Sequence, residues 1–425
     1  MTDFSFYFSP YYFQSRNYAL FFGGQSISQI GTWMQRTAVS WVVYSITHSA
    51  FMLGLTVFAQ QFPSFILSLY GGIISDRYSK YKILLITQTA SMIQAILLAI
   101  LTLSGHYVVW QILGLSILLG IINAFDVPAR QPMIHEMIDN KEDLPNALAL
   151  NSAMVNLARL LGPALSGIVL QKFGAGICFL SNAISFMAVL TSLLMMKLPS
   201  FTPSSVKKKA LLEIHEGFQY MKQTREISIP LLLLMLASMF VLPYDTLIPI
   251  FANVVFKGDA ATFGYISSFM GLGAIAGTFF LASLKKGDSL KTVIMFTGIL
   301  LGIGLCFFSH ISYFPLAMVF AVLIGFGAMS QNTACITIVQ VHSAQHMRGR
   351  MMSYIAFAYF GTLPLGSLLI GTVSQQIGAQ NTLLVQGIIS LIIAAIFFPM
   401  LRRESLTEDE KTQMEEVEAT VADKI

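Results

Sequence analysis

The sequence predicts an all-α membrane protein in which twelve transmembrane helices form two pseudo-symmetric six-helix halves, and three observations predict it. First, the 425 residues are 55% hydrophobic and only 11% charged, with a mean hydropathy of +0.69. An ordinary soluble domain is about 25% charged, and a water-soluble chain of this length would divide into domains that each need a polar shell. Second, apolar stretches near 20 residues or longer recur along the chain, each enough to cross about 30 Å of hydrocarbon at about 1.5 Å per residue. Third, Gly162, Gly167 and Gly174-Ala175 return as Gly366, Gly371 and Gly378-Ala379 at a constant spacing of 204, as in a parallel internal repeat. Gly72 and Lys80 return in a similar way as Gly277 and Lys285.

Residues 1–16 read as an N-terminal interfacial segment: the aromatic run from Phe4 to Phe13 suits the headgroup layer, and no signal-peptide pattern is visible. Glycine, proline and charge then punctuate spans at 17–46, 50–75, 83–104, 107–130, 145–171 and 176–197, a first bundle over 17–198. A cytoplasmic linker is expected over 199–228. Pro199, Pro203, Ser204, Ser205 and the Lys207–Lys209 cluster break the run of spans. Beyond them Leu211, Ile214, Phe218 and Met221 share one helical face opposite Glu213 and Lys222, which suits a helix on the inner membrane surface. The second bundle, 229–401, holds spans at 229–255, 262–284, 290–309, 312–335, 349–376 and 380–400. Residues 402–425, rich in Glu and Asp and poor in aromatics, read as an acidic, solvated cytoplasmic tail.

An even number of spans puts both termini on one side, and the basic residues choose the side. Arg77, Lys80, Lys82, Lys141, Lys207, Lys208, Lys209, Lys222, Arg225, Lys285, Lys286, Lys291, Arg348, Arg350, Arg402 and Arg403 fall in loops on the same side as the termini. The other side holds only Lys172 and Lys257. This asymmetry predicts a multi-pass protein of the bacterial inner membrane with both termini cytoplasmic.

The loop after the second span reads Gly72-Ile-Ile-Ser-Asp76-Arg77-Tyr-Ser79-Lys80-Tyr81-Lys82. Gly72 is expected to let neighbouring helices approach, Asp76 to cap and Arg77 to pair, so that the charges bridge helix ends in one conformation and release them in another. A loop that merely obeys the charge rule is the alternative reading of these residues. The stretch resembles the loop signature of the major facilitator superfamily, from which it departs at Ser79 and Tyr81. Gly162-Pro163-Ala-Leu-Ser166-Gly167 resembles the Gly-Pro signature of proton-coupled exporters in that family, with Ser166 in place of a glycine. Pro163 removes a backbone donor, and the glycines remove bulk at a moving interface. Gly31-Thr-Trp-Met-Gln-Arg36, Asn123-Ala-Phe-Asp126-Val-Pro-Ala-Arg130-Gln and Asp143-Leu-Pro-Asn-Ala-Leu-Ala-Leu-Asn151-Ser look like the bacterial branch that contains the enterobactin exporter, as do Leu242-Pro243-Tyr244 and Ile248-Pro249-Ile-Phe-Ala252. The resemblance covers roughly 17–400. It implies the major facilitator fold and export of a small organic molecule, with a conformational gate built from Gly72, Asp76, Arg77, Lys80, Lys82, Arg130, Gly162, Pro163 and Gly167.

A charge in mid-bilayer costs about 2.5–3.5 kcal/mol, so an ionisable residue inside a span calls for a partner, a pathway or a shallow position. Arg36, Asp126, Arg130, Arg159 and Asp245 qualify. Gln25, Gln29, Thr32 and Arg36 are spaced four, three and four apart, one polar face on an apolar helix. Ser152, Asn156 and Arg159 repeat the pattern on the fifth span. Two cations facing one water-filled cavity favour anionic or catechol-like substrates; an interhelical structural bond is the alternative for Arg36. Asn123, Asp126 and Arg130 share a face of the fourth span, so Asp126 either pairs structurally with Arg130 or couples transport to protons by releasing it. Asp245, between Pro243 and Pro249, is a second coupling or substrate candidate, and Tyr359 and Thr362 offer weaker polar contacts.

The expected function is a proton-driven exporter of a small organic molecule, anionic or siderophore-like, working by alternating access as a monomer in the lipid bilayer. A lysophospholipid transporter and a non-transporting receptor or scaffold of the same fold are the alternatives. No acid–base–nucleophile cluster, phosphate-binding loop or metal spacing is apparent, so no catalytic residue, metal, cofactor or nucleic-acid partner is expected. Cys178, Cys306 and Cys335 lie in apolar spans without paired spacing and read as small core residues.

Overall fold

The computed structural model describes residues 15–138, 143–196, 210–284 and 289–422, except for the side chains of His135, 210–215 and 402–422. The aromatic run at 4–13, the linker residues 199–209 with their lysine cluster, and Lys141, Lys285 and Lys286 lie outside the described residues. The elements are α1 (Arg16–Thr47), α2 (Ala50–Arg77), α3 (Lys80–Leu103), α4 (Val109–Met137), α5 (Leu144–Leu194), α6 (Ala210–Gln223), α7 (Arg225–Phe240), α8 (Ile248–Ile250), α9 (Ala260–Ser283), α10 (Leu290–His310), α11 (Phe314–His342), α12 (Arg348–Ala356), α13 (Leu363–Ile377) and α14 (Ala379–Ala422).

Ten helical segments are long and apolar enough to cross a bilayer. Two further spans complete the twelve. α5, at 51 residues, contains two, because Gly174 takes φ 80° and ψ 175° and breaks it in the middle. α1 is 32 residues long and less apolar than the others because one face carries Gln25, Gln29, Thr32 and Arg36. The seventh span, Arg225–Val255, is irregular: α7 gives way to a 3₁₀ turn at Leu242–Leu247, then α8, then a π turn at Phe251–Val255. Pro243 and Pro249 supply no backbone N–H there. At this break the buried Gln386 amide of α14 donates to Phe240 O at 3.4 Å and Val241 O at 3.2 Å. The eleventh span joins α12 to α13 through a π turn at Phe357–Gly361. α14 continues as helix to Ala422, beyond the expected end of the last span.

Within the first half α1 packs on α5, α2 on α4, and α3 on both α4 and α5; within the second, α9 and α10 pack on α11, and α10 on α14. The halves meet along two seams, α2 with α13 and α5 with α9. Both seams are glycine contacts. A Cβ on Gly167 would lie 2.8 Å from Ala260 O and 3.1 Å from Gly264 Cα, and one on Gly371 would lie 2.6 Å from Ala50 O and 3.1 Å from Gly54 Cα. The pair 204 residues apart thus does the same work on opposite sides of the molecule, and Gly174 and Gly378, both at positive φ, turn the chain into the next span.

Other helices obey a different spacing. Gly54 and Gly264 differ by 210 positions, as do Gln60 and Met270, whose carbonyls face Gly120 and Gly325. Gly72 and Gly277 are therefore not equivalents: the second half is five residues shorter between its second and fourth helices, which shifts the register. The linker helix α6 (Ala210–Gln223) follows the first bundle. It is clamped to the second half: Glu216 pairs with Arg350 at 2.7 Å, the Ala344 N–H donates to Tyr220 Oη at 3.0 Å, and Gly217 abuts Tyr354. Phe218, on the expected apolar face, is 50% exposed.

Candidate functional site between the halves

The polar face of α1 splits into two parts. Gln25 is buried inside the first half, next to Gly24, whose backbone sits against Ser192 and Ala188 of α5. Gln29 is half-buried, and Thr32 donates back to Ser28 O at 2.9 Å. Arg36 has another neighbour: its guanidinium carbon lies 5.2 Å from the ring centroid of Trp33. The Arg159 guanidinium carbon lies 5.7 Å from the same centroid. The two arginines thus come together on one indole, each half-buried and neither with a carboxylate partner among the described residues.

Why these groups converge is visible in the backbone. A Cβ on Gly162 would meet Trp33 Cβ at 2.4 Å, so α5 rests directly on the root of the tryptophan. One turn back on α5 from Gly162, Arg159 then reaches past the ring into the seam, where its Nη1 donates to Met329 Sδ of α11 at 3.8 Å. The fully buried Tyr244 of the 3₁₀ turn lies in electrostatic reach of Arg159, Asp245 and Tyr359. Asp245 itself is exposed and Tyr359, on the π turn, is half-buried. Arg159 from the first half thereby comes within reach of Tyr244 and Met329 from the second, and Asp245 and Tyr359 border the same tyrosine. Asn156 is half-buried one turn below Arg159, whereas the Ser152 hydroxyl is spent on Leu148 O at 2.9 Å. Thr362 is spent likewise, donating to Ala358 O at 2.6 Å, and offers no free donor.

Asn123, Asp126 and Arg130 do share a face of α4, but Asp126 is turned into the first half. It is 2% exposed and accepts from Thr87 Oγ1 at 2.8 Å, from Gln88 Nε2 at 2.7 Å and from the Arg130 guanidinium. Two buried atoms around this cluster have no partner, Gln88 Oε1 and Arg130 Nε. Asn123 is half-buried one turn away.

The gate residues separate in the same way. Gly162, Pro163 and Gly167 line the α5 surface that meets α1 and α9. Lys80 pairs with Glu136 of α4. Asp76 and Arg77 are exposed and form no hydrogen bond or ion pair among the described residues, and Lys82 is exposed. Gly72 faces open space, while its neighbour Gly71 makes the helix contact: a Cβ on Gly71 would lie 1.9 Å from Ala124 O. Sequence reasoning missed Trp33, although its spacing of three from Arg36 puts both on one face. It also missed Met329, Gln171 and Gln375, for which no local signal exists.

The sequence pattern of the transmembrane secretion effector family runs over residues 7–424. The chain belongs to that family, within the major facilitator transporters. Among curated members it is 28% identical to the staphyloferrin A transporter of Staphylococcus aureus over 92% of this chain and 98% of that one. It is 23% identical to the enterobactin exporter of Salmonella choleraesuis over 88% and 90%. The fold is similar to that of a bacterial homologue of the lysosomal transporter Spinster in an inward-facing, unoccupied conformation, at a TM-score of 0.71, 12% identity and 91% and 97% coverage. Family membership makes this secretion effector a membrane transporter of a small molecule, and the relatives are transporters as well.

Proposed function

We propose that the chain is a proton-coupled exporter of small organic anions, siderophore-like molecules among them, operating by alternating access in the bacterial inner membrane with both termini cytoplasmic. The observation that carries this reading is the pair Arg36 and Arg159, two half-buried guanidiniums between the halves with no described carboxylate partner. Unpaired cations at that depth favour an anion, which forms charge-assisted hydrogen bonds with them. The names of the two siderophore transporters support the substrate class. The seams supply the motion: the glycine contacts lie at the charge-poor end, near the α1–α2 and α5 turns, which supports a state open toward the basic end. Proton coupling is assigned to Asp126, with Asp245, next to Tyr244, as the second acid. The chain works as a monomer and performs no covalent chemistry.

The test compares metabolites retained by cells lacking the protein, under iron starvation and iron repletion, with cells carrying Arg36→Gln or Arg159→Gln in its place. Retention of an anionic molecule in the deletion and in both variants is the expected result. Normal export by both variants would refute the anion reading. Retention of lysophospholipid in place of a soluble anion would redirect it to lipid transport.

A further inference from the structure

Two like charges on one aromatic ring are an unusual arrangement for a site that takes a single anion. Arg36 and Arg159 both bear on the indole of Trp33, at 5.2 and 5.7 Å from its centroid, so their guanidinium carbons can be no farther apart than those two distances laid end to end. Each is drawn to the negative ring face, which offsets part of their mutual repulsion. The ring cannot easily shift. Trp33 is seated on the α5 backbone at Gly162, and α1 and α5 are packed along their length.

We infer that Trp33 makes the two arginines into one two-point site, selective for small molecules carrying two separated anionic groups. The inference rests on the anion-export reading and narrows it. Each guanidinium is a planar fork that binds a carboxylate through two N–H groups. A monoanion satisfies one fork and leaves the other unpaired. A dianion of suitable length satisfies both, and the separation of the two guanidiniums held against the one indole sets the length. The ring is engaged by the guanidiniums, so the ligand is held by its charged ends more than by stacking. Arg159 also contacts Met329 across the seam, so the second anionic group binds where the two halves meet. Asp245 and Tyr359 share the neighbourhood of Tyr244 with Arg159.

The experiment measures thermal stabilisation of the full chain in zwitterionic-lipid nanodiscs. The probes are butyrate and benzoate, the α,ω-dicarboxylates from malonate to azelate, and lysophosphatidylglycerol. The expected result is a chain-length optimum among the dicarboxylates, with an apparent Kd at least tenfold below that of either monocarboxylate. Arg36→Gln and Arg159→Gln should each bring the best dicarboxylate down to the monocarboxylate level. Trp33→Leu should flatten the length optimum, and Trp33→Phe, the milder change, should retain it in part. Equal binding of mono- and dicarboxylates by the wild type would overturn the two-point site and leave the anion reading standing. Absence of any carboxylate effect, with both arginine variants unchanged, would overturn both. Tightest binding of lysophosphatidylglycerol would give the arginines to a lipid headgroup and overturn the inference.

Discussion

Gln171 and Gln375, 204 residues apart, perform the same task at two corners of the molecule: each reaches across a seam to the N-terminus of a helix in the other half. Gln375 Oε1 accepts from Ser49 Oγ at 3.0 Å and from the Ala50 N–H at 3.0 Å, at the start of α2. Gln171 Nε2 donates to Asp259, the residue that caps α9. Ser49 and Asp259 are themselves 210 apart, the spacing that relates α2 to α9. These are the latches of the charge-poor end, and the glycine seams lie directly beneath them.

Replacing both glutamines with leucine should therefore loosen that end. Each lost hydrogen bond is worth about 1 kcal/mol, and one made to a charged acceptor roughly 1.5–3, so the double variant should shift the opening equilibrium by at least tenfold. The reporter is Phe263→Cys, a buried position stacked on Trp41 across the seam, in a chain whose three native cysteines are replaced by alanine. Labelling by an impermeant maleimide from outside should speed up severalfold in Gln171→Leu/Gln375→Leu. An unchanged rate would mean that the glycine contacts alone hold the seam.

Gly71 and Gly72, adjacent in the last turns of α2, should respond in opposite ways to alanine. At Gly71 the added Cβ would sit 1.9 Å from Ala124 O, a backbone atom that cannot give way without moving α4. Overpacking of this kind typically costs about 1–3 kcal/mol. At Gly72 the Cβ meets nothing within 4 Å, and alanine there gains up to about 1 kcal/mol of helix propensity. Thermal melting in detergent should give a lower Tm for Gly71→Ala and an equal or higher one for Gly72→Ala. The reverse order would restore the packing role to Gly72.

Much of this was legible in advance, and the boundary of legibility is physical. Hydropathy, charge and glycine spacing revealed the spans and the two halves because lipid imposes a nearly uniform rule on every exposed residue. The pairing of Arg36 with Arg159 could be read from helical periodicity, since both are spaced along polar faces. Trp33, Met329 and the glutamine latches could not, because their roles depend on which helices touch, and contact is decided by the register of whole helices. The same cause misled the reading of Gly72: signature position said nothing about which of two adjacent glycines faces α4.

The docking of α6 should be separable from folding. Glu216 and Arg350 are an exposed pair, worth about 0.2–1 kcal/mol, whereas Tyr220 accepts the backbone N–H of Ala344, which begins the turn into α12. Arg350→Glu should thus raise the rate of trypsin cleavage at Lys222 severalfold with little change in Tm. The charge-swapped Glu216→Arg/Arg350→Glu should restore protection. A single variant cleaved no faster than wild type would show that Tyr220 and Gly217 suffice.

The internal repeat supplies a control for the Asp126–Arg130 pair. Gly120 and Gly325 make the same contact in the two halves, so the register of α4 maps onto that of α11 at a spacing of 205. Asp126 then corresponds to Gln331 and Arg130 to Cys335, both buried in the second half as their counterparts are in the first, apart from the 22%-exposed side chain of Arg130. The fold evidently closes around a neutral pair at this position, so the ion pair in the first half is not a requirement of packing. Removing only Asp126 would strand Arg130 with a buried charge, at roughly 3–5 kcal/mol, and would confuse misfolding with loss of coupling. Asp126→Gln/Arg130→Cys, which copies the second half into the first, avoids that. The double variant removes both charges together and strands no buried ion, so it should still fold, with a Tm lowered by the cavity left where cysteine replaces Arg130. Its substrate exchange between the two sides of a proteoliposome should persist, while flux driven by a pH gradient should fall at least tenfold. Undiminished gradient-driven flux would take proton coupling away from Asp126 and leave Asp245 as the acid to examine.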